Sequence, residues 1–243
     1  RGPNNKFKSA VEPYLYDHMS PENREQISTF VGDIWRTILE GISKDRGVSV
    51  EFLNQAADSL TFRDVKLVKS SGLINGLSYR DEVISLMKTK VGLDAQAKDG
   101  FELVTLADYH EKGNNEKKDS EIAVVYAVGA IESGEGDDET IGSDRIAKAL
   151  RDARLNEKVK AIVLRVNSPG GSALASDVIW RETELIRQSG KPLVVSMGDY
   201  AASGGYYIAC NANKIFANPT TITGSIGVFG VIPNMQKFLN NKL

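Results

Sequence analysis

Three short apolar runs in the second half of the chain, separated by stretches of helical period, constrain the fold more than any other feature. They cover residues 122–128, 159–166 and 192–197. Each carries at least two valines and is too short for a buried helix. That pattern suits a strand buried in a sheet. Between the runs lie two helical segments, residues 143–153 and about 173–188. Strands alternating with helices at this spacing predict an α/β fold, a parallel sheet with flanking helices.

The first half reads as helical. Ser20 is a good N-cap, Pro21 fits the first helical position, and Glu22 and Glu25 suit the positive end of a helix. Ile27, Phe30, Val31, Ile34, Ile38, Leu39 and Ile42 recur at helical spacing up to Gly47, a natural stop. Further helices are expected after Ser49, after Thr61 with a stop at Gly72, and after Ser78. The last would carry Val83, Ile84, Met87 and Val91 on one face. Residues 111–120 are polar and lack an apolar anchor, so they are the expected linker. Residues 132–140 form an acidic, glycine-bearing stretch, most simply a solvated loop.

Composition removes several function classes. The chain has 243 residues, 41% hydrophobic and 26% charged, enough for a packed core. A net charge of −2 gives no basic surface for nucleic acid. Cys210 is the single cysteine, and His18 and His110 are the two histidines, so neither a disulfide nor a metal site is expected. No apolar run reaches about 18 residues, so no membrane-spanning helix is expected. Arg1 in place of a start methionine, and an end at Leu243 without turn or cap, read as a segment of a longer chain.

In an open α/β sheet, ligands bind beyond the carboxyl ends of the strands. Two such ends stand out. One is Asn167-Ser-Pro-Gly-Gly-Ser172, whose glycines let backbone N–H groups approach a ligand. The other, Gly198-Asp-Tyr-Ala-Ala-Ser-Gly-Gly205, puts the Ser203 hydroxyl at the start of an expected helix. Either stretch alone is most simply a turn. On consecutive strands of one sheet, they could supply an oxyanion hole and a nucleophile, the pairing acyl transfer needs. No histidine follows Ser203, and Ala201 replaces the first glycine of G-x-S-x-G, so the α/β-hydrolase triad is disfavoured. A Ser–Lys dyad is the remaining choice, and composition does not select its lysine. The glycine segments lack the Gly-Lys-Ser/Thr ending of a P-loop, so no nucleotide is expected.

Four segments resemble the SppA-type signal peptide peptidases in its long, tandem-repeat form. Asn167-Ser-Pro-Gly-Gly-Ser172, Ala201-Ala-Ser-Gly-Gly-Tyr-Tyr207 and Thr223-Gly-Ser-Ile-Gly-Val228 are similar to its second repeat. Phe7-Lys-Ser-Ala-Val-Glu-Pro13 is similar to the lysine segment of its first repeat. The resemblance implies a ClpP/crotonase-like fold and a serine peptidase without cofactor. It implies Ser203 as nucleophile, Lys8 as general base and Ser225 as a serine that holds the lysine. It further implies an oxyanion hole from the Gly171 and Gly204 amides, with Gly170 needed for the turn. Residues 1–110 would be the C-terminal half of the first repeat and residues 121–243 the N-terminal half of the second, joined by 111–120. The implied substrates are cleaved signal peptides, and the implied assembly is a homo-oligomer anchored in the cytoplasmic membrane with its catalytic part outside the cytoplasm. Whether the dyad forms within one chain or between chains stays open. Glu12 is expected to face away from Lys8, because pairing would favour the charged lysine. Leu174, Val178, Tyr206 and Tyr207 are candidates for an apolar substrate groove. The alternatives are a crotonase-type acyl-CoA enzyme, which relies on carboxylates rather than a serine, and a non-catalytic scaffold on the same fold.

Overall fold

The computed structural model describes residues 6–96, 104, 105, 109, 119–230, 232 and 234–242. The chain divides into two compact units. The first comprises Arg1–Ile34 and Lys118–Leu243, the second Trp35–Lys117. Most of the expected linker, residues 111–118, lies outside the described residues, as does His110.

The first unit is built on a five-stranded sheet. Its strands are β1 (Glu121–Val128), β4 (Val159–Ser168), β5 (Leu193–Ala202) and β6 (Lys214–Phe216) in that order, with β7 (Ile222–Gly224) also paired to β5. Every pairing is parallel. Two short strands, β2 (Ala130–Glu132) and β3 (Thr140–Gly142), form a separate parallel pair. Helices α5 (Ser143–Leu155), α6 (Ala173–Gln188) and α7 (Gly204–Ala209) connect the strands. This is the parallel α/β architecture expected, a sheet with flanking helices.

The core forms where one face of the sheet meets α5 and α6. Ile162, Leu164 and Val166 of β4 and Leu193 and Val195 of β5 are fully buried against Leu150, Ile179 and Ile186. β1 departs from expectation. It is an edge strand with only alternate residues buried: Val125 and Ala127 are covered, while Ile122, Val124, Tyr126 and Val128 are exposed. A run of apolar residues looks the same in a strand covered on one face as in one covered on both. Burial alone separates the two.

Ser172 caps α6, its hydroxyl accepting from the Ala175 amide at 3.3 Å. At the other face of α6, Glu182 is buried and binds two arginines of α5. Arg151 donates to Oε1 at 2.7 and 2.9 Å, and Arg154 to Oε2 at 3.5 Å. Glu182→Ala strands the Arg154 guanidinium, whose Nε is already buried without a partner. It is expected to destabilise the unit by about 2–3 kcal/mol, below the usual range for a broken buried pair because Arg151 is half exposed. Urea unfolding measures this.

The acidic stretch is exposed to solvent, as expected, and is also stapled. Arg145 of α5 donates to the backbone carbonyls of Glu135, Asp137 and Thr140. The Asp137 carboxyl is held below its ordinary range, first by the Glu139 amide and then by the Thr140 hydroxyl. Charge patterning reports the acidic residues and misses the single arginine that folds the loop.

Also in the first unit, a 3-10 helix (Ser9–Tyr14) precedes the start of α1 (Pro21–Arg46). The Ser20 hydroxyl accepts from the Asn23 amide at 3.2 Å, the N-cap expected. The same hydroxyl donates to the buried Glu12 carboxylate at 2.6 Å, and Asn23 Nδ2 donates to it at 2.9 Å. Glu12 thereby ties the 3-10 helix to the start of α1.

The second unit is helical. It holds the end of α1, then α2 (Val50–Asp58), α3 (Val65–Ser70) and α4 (Arg80–Lys90). Ser49 caps α2 by accepting from the Phe52 amide at 3.1 Å. The helix expected after Thr61 is split: Thr61–Arg63 is a 3-10 turn, and Asp64 then caps α3 through the Lys66 amide at 2.9 Å. Gly47 and Gly72 both have positive φ where helices stop. On α4, Val83 and Met87 of the expected apolar face are exposed.

Candidate active site

The site is created by an irregularity in the sheet. β4 and β5 are in register up to Val166 opposite Met197, and pairing resumes at Ser168 opposite Ala201. One residue of β4 thus faces three of β5. Asn167 fills the bulge, its Oδ1 accepting from the Tyr200 amide at 3.0 Å, and Thr221 Oγ1 donates to the Gly198 carbonyl at 2.8 Å. The bulge carries β5 on to Ala202, well past the expected end near Met197. The strand then passes into α7 without a loop.

Ser203 makes that passage with φ 53° and ψ −119°, a strained conformation for a residue with a side chain. Backbone bonds hold it there: its amide donates to the Gly224 carbonyl at 2.8 Å, and its carbonyl accepts from the Tyr207 amide at 2.9 Å. The Thr223 hydroxyl donates to the Ala201 carbonyl at 2.7 Å, pinning β7 beside it. A residue fixed at a sharp strand-to-helix turn presents its side chain outward from the sheet edge. Ser203 is partly buried and lies on the walls of two cavities.

The first cavity, about 780 Å³, includes Gly171, Gly204, Tyr206, Tyr207 and the 226–229 segment in its lining. The turn after β4 approaches Ser203 closely. A Cβ on Gly170, which has φ +99°, would lie 2.7 Å from both the Gly204 nitrogen and Ser203 Cβ. The Gly204 Cα faces the same turn, since a Cβ there would lie 3.4 Å from the Gly171 nitrogen. Ile131 of β2 locks the turn from outside, donating to the Gly170 carbonyl at 2.9 Å and accepting from the Ser172 amide at 2.8 Å. Gly171 and Gly204 are therefore backbone neighbours beside Ser203.

The second cavity, about 690 Å³, is lined by Lys8, Ser203 and Ser225 among others. Residues from the two ends of the chain are thus brought to one cavity within the first unit. Lys8 precedes the 3-10 helix, is exposed, and donates through Nζ to the Ile226 carbonyl, 218 positions away. The lysine is held by the backbone one residue beyond Ser225, not through a hydrogen bond to the Ser225 hydroxyl. Ser225 itself has φ +50° directly after β7.

Of the four groove candidates, Tyr206 and Tyr207 line the first cavity, whereas Leu174 and Val178 are exposed outside its lining. Sequence reading missed Asp177 and Trp180. Tyr207 Oη donates to Asp177 at 2.7 Å, which with burial pushes the phenol's pKa up, and its ring stacks on Trp180 at 5.8 Å. Cys210 lines the same cavity, and burial pushes its thiol's pKa up. Nothing in the local sequence marks these contacts, because they join α6 to α7. Among the described residues no cluster of His, Cys, Asp or Glu could hold a metal ion, and no helix is long and apolar enough to cross a membrane.

The fold and the strand ends define a ClpP/crotonase-like α/β protein with a strained serine beside two close-set glycine amides. Comparison with known proteins narrows the class. The model of peptidase family S49 matches residues 3–94 and 186–242. The chain is 42% identical to Protease 4 of Salmonella typhi, over 97% of this chain and 39% of that protein. It is 38% identical to Protease 4 of Haemophilus influenzae (strain ATCC 51907 / DSM 11121 / KW20 / Rd), over 95% and 39%. It is 37% identical to the chloroplastic serine protease SPPA of Arabidopsis thaliana, over 92% and 34%. The chain belongs to peptidase family S49, and it spans about two fifths of the length of the two Protease 4 relatives.

Proposed function

We propose that this chain carries the catalytic dyad of a serine endopeptidase, with Ser203 as nucleophile and Lys8 as general base. The observation that carries the reading is the shared cavity of Lys8, Ser203 and Ser225. Family membership favours it over an acyl-CoA enzyme or a scaffold.

In this reading Ser203 Oγ attacks the peptide carbonyl carbon and passes its proton to the Lys8 amine. One Lys8 N–H is tied to the Ile226 carbonyl, which leaves the lone pair to turn towards the serine. The amides of Gly171 and Gly204 receive the charge that develops on the carbonyl oxygen. The C–N bond then breaks, the lysine returns the proton to the leaving amine, and water hydrolyses the ester in the reverse sense. Ser225, whose positive φ sets the course of the chain into Ile226, serves as a positioning residue for the carbonyl that holds Lys8.

The substrates in this reading are apolar peptides, such as signal peptides left at the cytoplasmic membrane after processing. Supporting this, Tyr206, Ile226, Val228 and Phe229 line the cavity next to the glycine amides. The full-length protein would be an oligomer, anchored elsewhere in its sequence, acting outside the cytoplasm. Residues 1–110 and 121–243 would be halves of two repeats. Peptides with leucine or phenylalanine on the acyl side of the cut should be hydrolysed at least about tenfold faster than those with aspartate there. Comparing kcat/KM for such pairs tests the substrate class, and equal rates would contradict it.

A further inference from the structure

A third cavity extends the groove beyond Lys8. It measures about 510 Å³ and lies between the first turns of α1 and the 219–225 segment. It shares Phe7, Gln26 and Ser225 with the Lys8 cavity, which in turn shares Ser203 and residues 226–229 with the glycine-amide cavity. The three therefore run in sequence, with Ser203 between the first and the second.

The chemistry of peptide cleavage gives this groove a direction. Oxyanion donors stand beside the acyl oxygen, and the group that protonates the departing amine stands on the amine's side. Gly171 and Gly204 line the first cavity and Lys8 the second. The acyl side of a substrate thus occupies the first cavity, and its amine side enters the second. An extended peptide advances about 3.3 Å per residue. Residues past the first one beyond the cut move on into the third cavity.

The walls of that cavity are specific. Phe7 and Phe30 are partly exposed and offer aromatic faces, while Glu25, Thr29 and Asp33 lie four residues apart along one stripe of α1. An aromatic wall with a carboxylate at its rim suits a long side chain that is apolar along its stem and positive at its tip. We infer that this cavity is the subsite for the second and third residues beyond the scissile bond, and that Glu25 makes it favour lysine or arginine there. The inference rests on the Ser203–Lys8 reading.

The test uses the full-length protein and peptides with a common apolar acyl side. The amine side is lengthened from one residue to three, with lysine, norleucine or glutamate at the second position. Lengthening should raise kcat/KM about tenfold. Lysine should exceed norleucine about threefold, a preference that Glu25→Gln removes. Phe30→Ala should reduce the gain from length. No gain with length, or a lysine preference that persists in Glu25→Gln, overturns the assignment. Labelling of Ser203 by a fluorophosphonate separates the two failures. A labelled enzyme without these effects sinks the subsite alone, whereas an unlabelled one sinks the dyad and the subsite with it.

Discussion

Ser203→Ala is expected to lower peptide hydrolysis by about 10⁴-fold or more, and Lys8→Ala by a comparable factor, with folding unchanged. The two losses should be grossly non-additive, because the residues act in one proton transfer. A double variant should be little worse than either single one. Stability should be nearly unaffected for physical reasons. Ser203 is held by its backbone bonds to Gly224 and Tyr207, which alanine keeps. Lys8 is exposed, and losing its hydrogen bond to the Ile226 carbonyl leaves that carbonyl open to water. Lys8→Arg should not rescue. A guanidinium can occupy the position but stays protonated and cannot accept the serine proton. Rescue by arginine would point to an electrostatic role for the lysine.

Gly170→Ala is the second large effect, and it differs in kind because it damages both structure and chemistry. The added Cβ would fall 2.7 Å from Ser203 Cβ and from the Gly204 nitrogen, and 2.8 Å from the Ala202 carbonyl oxygen. Two of these neighbours are backbone atoms, so no side chain can swing aside. The φ of +99° adds strain for any residue with a Cβ. We expect a loss of about 2–4 kcal/mol of stability, read from denaturant or thermal unfolding. Protein that still folds should lose about a hundredfold or more in kcat, because the turn can relax only by pushing the serine and its amides apart. Gly190→Ala is the control. Its φ is also positive, at +79°, but a Cβ there meets nothing within 4 Å. It should cost only the backbone strain and leave kcat unchanged.

The elements set by local chemistry were legible in the sequence. α1 starts where Ser20 and Pro21 predict, and α6 runs over the span expected from its period. The parallel order of β1, β4 and β5 follows from strands alternating with helices. What depends on contacts between distant segments was not legible. The extension of β5 to Ala202 needs Asn167 from β4 and Thr221 from the chain beyond α7, and neither is visible in the apolar run of residues 192–197. The half-open β1 looks like a buried strand because the sequence does not record what covers each face.

The candidate site divides in the same way. Ser203 and the two glycine pairs announce themselves by their residue types at the ends of strands. Lys8 does not. An exposed lysine before a 3-10 turn has no local signature, and only its resemblance to a family segment singled it out. The carbonyl that holds it, from Ile226, is a backbone group that any residue would supply. Side-chain patterns cannot mark such a contact.

The most direct measurement is the site of covalent labelling. Full-length protein treated with a fluorophosphonate should gain one adduct. Proteolysis and mass spectrometry should map that adduct to Ser203, with labelling abolished in Ser203→Ala and strongly slowed in Lys8→Ala. An adduct on another residue, or a labelling rate indifferent to Lys8, would contradict the dyad.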